Sequence, residues 1–424
     1  MFRVSLTITE NYENRTVLAL KDLHLLKLVK VGDFVISLRS FQGGIEYARE
    51  QGIISPAYTI LYPVDEGHHA YLAKLFKSKP FIENLNLYVT GIRQGQNIDY
   101  VKLSRSSIPL PPLDEQRAIA HYLDWADARI RRLIRARQRQ IQLLEEYKQA
   151  LIHQAVTGQV DVRTGQPYPA YKDSGVEWLG KVPAHWEVRQ VKRYYQVELG
   201  KMLDSKAQDG ELLPYLNAAN IHWGKVLLEK VNLMRFTKEQ KKRYRLKYGD
   251  LLVTEGGATL GRSAIWYGHK EECYYQNSLN RVRSKGKLPN GFLYYWIYFL
   301  THSGFIETIV GTATFGHLTK EKLSNLEMVV PPTDEASRII DFLDEIVTRV
   351  EKINKNIKRN IDLLREYRTR LIADVVTGKI DVRAAAARLA EELEALSPEE
   401  ALELDEDEEP EEEEALEEAE VLEE

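Results

Sequence analysis

The chain has 424 residues, with 58 lysines and arginines against 63 aspartates and glutamates, and a formal net charge of −5. Residues 384–424 hold 20 acidic residues and one basic residue, which leaves 57 basic and 43 acidic residues elsewhere. This basic body predicts a polyanionic partner. The single cysteine excludes a disulfide framework and a cysteine-ligated zinc site. The sequence shows neither a signal peptide nor an apolar run of about 18 residues, which argues against secretion and against membrane spanning. We expect a cytoplasmic protein of about two or three domains.

The chain begins with a predicted mixed αβ domain at residues 1–110. The segments DFVISL and AYTILYP predict strands, and residues 69–86 predict a helix. A long helical segment follows at 111–163, where two prolines end the preceding strand and Asp114 occupies the expected N-cap position. The glycine of the pair Thr157-Gly158 is a typical helix stop.

The second half of the chain predicts the same order of elements. Residues 164–185 are rich in proline, glycine and tyrosine and predict an ordered linker. A second αβ domain is expected at 186–330, with a helical stretch near 291–309, and a second long helix at 331–383. The acidic tail at 384–424 is expected to be a solvated extension, disordered or partly helical, that packs against nothing.

The two halves are copies of one module. Residues 102–163 match residues 322–383 without a gap at an offset of 220, with 25 identities in 62 positions. A weaker echo begins at Gly32 (GDFVISLRSFQGG) and at Gly249 (GDLLVTEGGATLG), an offset of 217. The sequence thus predicts an α+β fold with a pseudo-twofold internal repeat, in which two globular domains are joined by two long helices.

Apolar residues recur in steps of three and four along both helical segments, as in a coiled-coil seam. The predicted pairing residues are Ile119, Leu123, Ile130, Leu144, Leu151, Ile339, Leu343, Val350, Leu364 and Leu371. Because the two helices have equal length and lie in one chain, we expect them to pair antiparallel. Asn360, Arg137 and Gln140 are expected to form a polar layer in the middle of the seam.

The sequence motifs argue against an enzyme. No GxxxxGK[ST] loop is present, the GGATLG segment at 256–261 lacks the lysine, and the tetrapeptide typical of amino-methyltransferases is missing. The ten histidines are scattered without a metal-binding spacing, so we expect no metal and no cofactor.

The duplicated segments PLPPLDEQ…IAHYLD and TGKIDVR, with YPAYKDSGVEWLGKVPAHWEV between the copies, resemble the specificity subunit of type I restriction–modification systems. The resemblance implies two target-recognition domains that each read one half of a split target in double-stranded DNA. It also implies that the two helices set the spacing between the halves and dock DNA adenine methyltransferase (modification) subunits, and that a restriction/translocase subunit completes the complex. The subunit itself is then non-catalytic. The two domains resemble different types of recognition domain, which implies an asymmetric target.

Candidate DNA contacts follow from side-chain chemistry. Arginine matches two edge atoms of guanine, asparagine and glutamine match two of adenine, and lysine or arginine contacts phosphate. The candidates in the second domain are Lys201, Asn217, Asn220, Arg262, Asn277 and Arg281. The candidates in the first domain are Arg39, Gln42, Arg93, Gln94 and Asn97. For any one of them an ordinary surface or turn role remains the alternative.

The first domain is shorter than the second. Trp186 lies 63 residues before Gly249, whereas 31 residues precede Gly32, so we expect the first recognition domain to lack its N-terminal strands, through either a truncated gene or a mis-assigned start codon. Two alternatives to a complete bipartite reader remain open at this point: a truncated subunit that binds methyltransferase but reads one half-site or none, and an orphan enzyme.

Overall fold

A computed structural model describes residues 25–64, 66–90, 97–204, 208–268, 272–310 and 316–394. The chain divides into two compact units, which are Met1–Arg139 with Asn356–Glu424, and Gln140–Lys355. We call these the first and the second unit. No described helix has both the length and the apolar character needed to cross a membrane.

The described residues form short strands and two helices of 44 residues each. The strands are β1 Lys27–Val29, β2 Phe34–Ile36, β3 Glu46–Tyr47, β4 Gly52–Ile54, β5 Thr59–Leu61, β6 Val89–Thr90, β7 Asn97–Ile98, β8 Tyr171–Asp173, β9 Lys181–Pro183, β10 Glu187–Gln190, β11 Tyr195–Leu199, β12 Glu211–Leu216, β13 Ile221–His222, β14 Lys225–Val226, β15 Asn232–Phe236, β16 Leu251–Thr254, β17 Ser263–Ile265, β18 Tyr274–Tyr275, β19 Leu279–Ser284 and β20 Glu327–Val330. The helices are α1 Ser40–Gly43, α2 His69–Phe76, α3 Lys79–Leu85, α4 Tyr100–Leu103, α5 Leu113–Val156, α6 Lys238–Tyr244, α7 Asn290–His302, α8 Phe305–Val310, α9 Lys320–Asn325, α10 Thr333–Val376 and α11 Arg383–Glu394.

The weak echo at Gly32 and Gly249 is a true structural repeat. The sheet β3-β2-β5 of the first unit corresponds to β17-β16-β19 of the second, and all these pairings are antiparallel. Both glycines have a positive φ, +95° and +83°, a conformation that favours glycine. The next residue is an aspartate in each copy, and its side chain accepts from a backbone N–H three residues earlier, at 2.8 Å in the first unit and 2.7 Å in the second.

The central sheets of the two units differ at one edge. In the second unit β11 pairs with the outer edge of β19, giving the four-stranded order β11-β19-β16-β17. Among the described residues of the first unit, β5 pairs with β2 alone. The predicted helix at 69–86 and the predicted helix near 291–309 are each broken into two, as α2 with α3 and α7 with α8.

Each domain is fastened to its long helix at the same repeat position. In the first unit the Lys74 ammonium pairs with the carboxylate of Asp124 on α5. In the second unit the Tyr295 hydroxyl donates to Asp344 on α10 at 2.5 Å. The two aspartates are 220 residues apart, so the anchoring carboxylate is retained while its partner differs.

The two long helices pair antiparallel, as predicted, and each unit shows this by itself. In the first unit Asp127 of α5 bonds Arg368 of α10, and Glu115, earlier on α5, lies 3.9 Å from Arg383, which follows α10. In the second unit Glu145 accepts from Asn354 at 2.8 Å. The end of α5 also shares a hydrophobic core with the beginning of α10.

The buried residues of α5 and α10 agree with most of the predicted pairing positions, but at other positions the buried residue lies one place later in the sequence. Ile119, Leu123, Ile130, Ile339, Leu343, Val350 and Leu371 are buried, and Leu144, Leu151 and Leu364 are partly buried. The predicted polar layer is wrong, because Asn360, Arg137 and Gln140 are exposed. Instead, the residues buried near these positions include Ile134, Asn354 and Ile361. Positions three and four residues apart lie on one helix face, so sequence spacing alone does not separate them.

The linker is clamped by one buried carboxylate at the start of α10. Glu335 accepts from the Tyr168 hydroxyl, from Trp186 Nε1 at 3.1 Å, and lies 2.9 Å from His185 Nε2. The side chain of Glu335 is 7% exposed. Buried carboxylates need such partners, since an unpaired charge in the interior is costly. The ordered linker predicted for 164–185 therefore has a physical cause.

The beginning of the acidic tail differs from the expectation. Residues 383–394 form α11, in which Ala386 and Leu389 are buried, so this part packs against the protein. Its alanines favour a helix, and the apolar positions three residues apart share one face. Residues 395–424 lie outside the described residues.

Candidate nucleic-acid interface

Several loops of the second unit meet at one end of its central sheet. We call residues 200–201, 217–220, 254–261, 276–278 and 316–318 the loop cluster. Its parts are joined by backbone contacts, such as the bridges Lys201 to Gln276 and Gly256 to His317. The side chain of Ser278 accepts from the N–H of Ala218 at 3.0 Å.

The strand directions explain why these loops meet. Strand β19 is antiparallel to both β11 and β16, so the ends of β11 and β16 lie beside the beginning of β19. The loops that leave these strands therefore emerge at the same edge. Binding residues commonly occupy loops that a rigid sheet positions in this way.

Two glycines allow the loops to pack closely. A Cβ atom at Gly200 would lie 2.1 Å from the carbonyl oxygen of Gln276. A Cβ atom at Gly256 would lie 2.5 Å from Nδ1 of His317. Any larger residue would push these loops apart, so the glycines are required by the geometry of the loop cluster.

Three of the predicted contact residues in the second unit are partly exposed. Asn217 and Asn277 lie within the loop cluster, and Arg262 directly follows it. The side chain of Asn217 accepts from the N–H of Ala219 at 3.0 Å, which fixes the turn at its own position. DNA contact by these three residues stays a prediction.

The other three predicted contacts of the second unit are buried. Lys201 Nζ donates to the carbonyl of Arg235, and burial lowers the pKa of this lysine although Asp204 opposes the shift. Asn220 Nδ2 donates to the carbonyls of Leu227 and Lys230 at 3.0 and 2.9 Å.

Arg281 is 4% exposed, and its Nη1 donates to the carbonyl of Arg243 at 3.0 Å. In this structure Lys201, Asn220 and Arg281 therefore support the fold, and the expectation that they present their side chains to bases needs correction. Residue type alone did not predict this, because the carbonyls that accept from these side chains belong to other segments, 7 to 38 residues away, that folding brings alongside.

In the first unit, two of the residues predicted to contact DNA lie next to each other at α1. Arg39 precedes α1 and Gln42 lies within it, and both are exposed. Arg39 is the repeat equivalent of Gly256, so it occupies the corresponding position after β2. Asn97 is exposed on β7, whereas Arg93 and Gln94 lie outside the described residues.

Sequence reasoning missed Glu255, a polar residue of the loop cluster that lies near His317. Burial raises the pKa of the Glu255 carboxyl, nearby His317 lowers it, and Glu321 raises it further. A carboxylate accepts from the amino group of cytosine, so it belongs in a set of candidate base contacts. Within the described residues, no group of three histidine, cysteine or acidic side chains is arranged to hold a metal ion.

A basic segment also lies close to the sheet. Helix α6 and the residues after it, KEQKKRYRLK, carry six basic side chains and one acidic side chain over 238–247. Such a run was visible in the sequence and is a typical signal for contact with phosphate groups. A globular domain with clustered loops and a basic segment, packed on one of two paired long helices, is an arrangement typical of the binding and adaptor class of proteins.

Comparison with known proteins agrees with this class. Residues 183–363 match the family model of the type I restriction modification DNA specificity domain. The putative type I restriction enzyme MjaX specificity subunit of Methanocaldococcus jannaschii is 26% identical over 324 residues, which cover 74% of this chain and 68% of that protein. The type I restriction enzyme EcoKI specificity subunit of Escherichia coli is 22% identical over 306 residues, 69% of this chain and 62% of that protein.

Solved structures share the fold. A chain from a study of complex assembly and conformational transition in a type I R-M system has a TM-score of 0.64 at 19% identity, covering 82% of this chain and 83% of its own. The HsdS subunit from Thermoanaerobacter tengcongensis has a TM-score of 0.51 at 17% identity, covering 84% and 83%. These comparisons show a type I restriction modification DNA specificity domain over residues 183–363 and a fold that the chain shares with the solved structures.

Proposed function

We propose that this protein is the DNA sequence-specificity subunit of a type I restriction–modification complex. It reads a bipartite target in double-stranded DNA and directs methyltransferase and restriction subunits to that target. In this proposal the chain catalyses nothing itself and acts in the cytoplasm, where its DNA target lies. The observation that carries the proposal is the specificity-domain match at 183–363, which contains the loop cluster and belongs to a duplicated module.

The loop cluster suits the reading of base edges. It combines amide side chains at Asn217 and Asn277 with the carboxylate of Glu255, and glycines let its backbone segments approach one another. These groups offer the donors and acceptors that distinguish base pairs in the major groove. The exposed Arg39 and Gln42 offer the same chemistry at the corresponding place in the first unit.

The long helices carry a duplicated exposed patch that suits a partner bound twice. In the second unit Leu143 is 49% exposed and Tyr147 is 55% exposed, and in the first unit their repeat equivalents Leu363 and Tyr367 are 51% and 55% exposed. Residues four apart share a helix face, so each pair forms one apolar surface. Because these leucines and tyrosines are about half exposed, burial within the chain does not explain why both copies of the module carry them. We assign the two surfaces to two copies of a DNA adenine methyltransferase subunit, which in turn recruit the restriction subunit.

Methylation mapping tests the function. The chain is expressed with a DNA adenine methyltransferase subunit in cells that lack other methyltransferases, and the methylated positions in genomic DNA are sequenced. A split motif with two defined halves is the expected result. A single half-motif would support the truncated reader instead, and methylation without any sequence preference would contradict a specificity role.

A further inference from the structure

Three cations and one carboxylate converge beside the loop cluster. Glu198 on β11 accepts from Arg243 Nε at 2.8 Å and lies 3.3 Å from Lys320 Nζ. Arg281 on β19 is the direct cross-strand neighbour of Glu198. One negative charge thus faces three positive charges, and the group keeps an excess of positive charge. We call these four residues the Glu198 cluster.

The carboxylate lies beneath the two outer cations. The side chain of Glu198 is 13% exposed, whereas those of Arg243 and Lys320 are 60% and 37% exposed. Burial raises the pKa of Glu198, but bonds from Arg243 and Lys320 more than offset this effect, so the pKa lies below its usual value. Glu198 therefore remains charged at neutral pH and holds both cations in place.

Arg281 supports the cluster from inside. Its Nη1 donates to the carbonyl of Arg243 at the end of α6, and its guanidinium lies 5.6 Å from the centre of the Tyr275 ring. Its Nε is buried without a hydrogen-bond partner among the described residues. A buried guanidinium with an unpaired N–H lowers the stability of the fold. A nearby anion reduces this cost, because it attracts the positive charge of Arg281.

The arrangement leaves the outer cations able to bind a second acceptor. Arg243 uses Nε and Nη2 for Glu198, so the Nη1 side of its planar guanidinium points away from the carboxylate. A guanidinium and an ammonium side by side match the oxygens of a phosphate group. Glu198 lies two residues before Gly200, and Lys320 lies two residues after Leu318, so the cluster borders the loops that are proposed to read bases.

We propose that Arg243 and Lys320 bind one backbone phosphate of DNA, with Glu198 and Arg281 as positioning residues. This inference rests on the proposed DNA-binding function and adds the contact that sets the register of the loops on the duplex. The alternative is that these residues have only a structural role and hold α6, β11 and α9 in contact through their ion pairs.

The test is binding of the full chain to a duplex of random sequence, measured between about 50 and 200 mM salt. Arg243→Gln and Lys320→Gln are each expected to lower the slope of log affinity against log salt by about one. Glu198→Gln removes the carboxylate that holds both cations in place and is therefore expected to weaken binding at low salt, although it also removes a negative charge. Lys225→Gln is the matched control, because Lys225 is an exposed lysine of the same unit that pairs with Glu351 on α10.

The outcomes distinguish failure of the proposed phosphate contact from failure of the proposed DNA-binding function. If the wild-type chain does not bind DNA, the proposed function fails. If it binds, but the slopes of Arg243→Gln and Lys320→Gln equal that of Lys225→Gln, the phosphate contact is overturned and the function stands. Thermal unfolding of each variant shows whether it is folded, and a purely structural tie would lower the unfolding temperature without changing the salt slope.

Discussion

At the scale of single residues, the two copies of the module use the same side chain in different surroundings. Glu115 and Glu335 are repeat equivalents at the beginnings of α5 and α10. Glu335 is surrounded by Tyr168, His185 and Trp186, whereas Glu115 lies 3.9 Å from Arg383 and its side chain is 33% exposed. The same residue type is therefore a buried clamp in one copy and a surface group in the other.

This difference predicts unequal costs of removal. Glu335→Ala leaves the Tyr168 hydroxyl and the Trp186 N–H buried without an acceptor, which should lower the free energy of unfolding by about 2–4 kcal/mol. Glu115→Ala is the matched control and should cost less than about 1 kcal/mol, because it removes a partly exposed ion pair whose atoms are 3.9 Å apart. Urea unfolding followed by tryptophan fluorescence measures both values, and equal losses would contradict the clamp.

A second residue-scale prediction concerns pH. Burial raises the pKa of Glu255, so the folded state binds a proton there more tightly than the unfolded state does. The stability from this group is present below the unfolded pKa and is lost as pH rises through the folded pKa. Glu255→Gln should therefore be more stable than the wild type at neutral pH, and the difference should shrink as pH falls. A difference in unfolding free energy that does not change with pH would count against this.

At the scale of elements, the long helices combine apolar contacts with charged and polar pairs. Asp127 bonds Arg368 in the first unit, and Glu145 bonds Asn354 in the second. Polar pairs within a helix seam fix register and orientation at some cost in stability. The antiparallel order is thus specified by particular partners as well as by apolar burial.

The corrected seam predicts the effect of placing a charge on α10. Ile357 is 5% exposed, whereas Asn360, three residues later, is exposed. Ile357→Asp buries an unpaired carboxylate and should lower the free energy of unfolding by at least about 3 kcal/mol. Asn360→Asp should change it by less than about 0.5 kcal/mol. Thermal and urea unfolding give both values. Comparable losses of unfolding free energy in the two variants would support the original prediction that Asn360 lies in the seam.

At the scale of the whole molecule, the duplication predicts the stoichiometry of the partner. Tyr147→Glu and Tyr367→Glu each place a charge in one of the two exposed apolar patches on the helices. With a co-expressed methyltransferase subunit, the wild-type chain should bind two copies, each single variant one copy, and the double variant none. Native mass spectrometry counts the copies, with Asn360→Glu as the control for a new charge on the same helix. Two bound copies in both single variants would exclude these patches as the docking surfaces.

The amino-acid sequence by itself determined the duplication, the two long helices and their antiparallel pairing, because gapless repeats and apolar periodicity are properties of linear order. It also carried the resemblance to type I specificity subunits, since the linker and the PP.DE helix starts are contiguous motifs. Only the tertiary structure decided which polar residues face solvent. Asn220 and Arg281 look like base-reading residues, yet the carbonyls that bind them belong to segments that the fold brings alongside. It likewise decided that Ile134 rather than Leu133 is buried, because neighbouring positions on a helix are separated only by the packing of the partner helix.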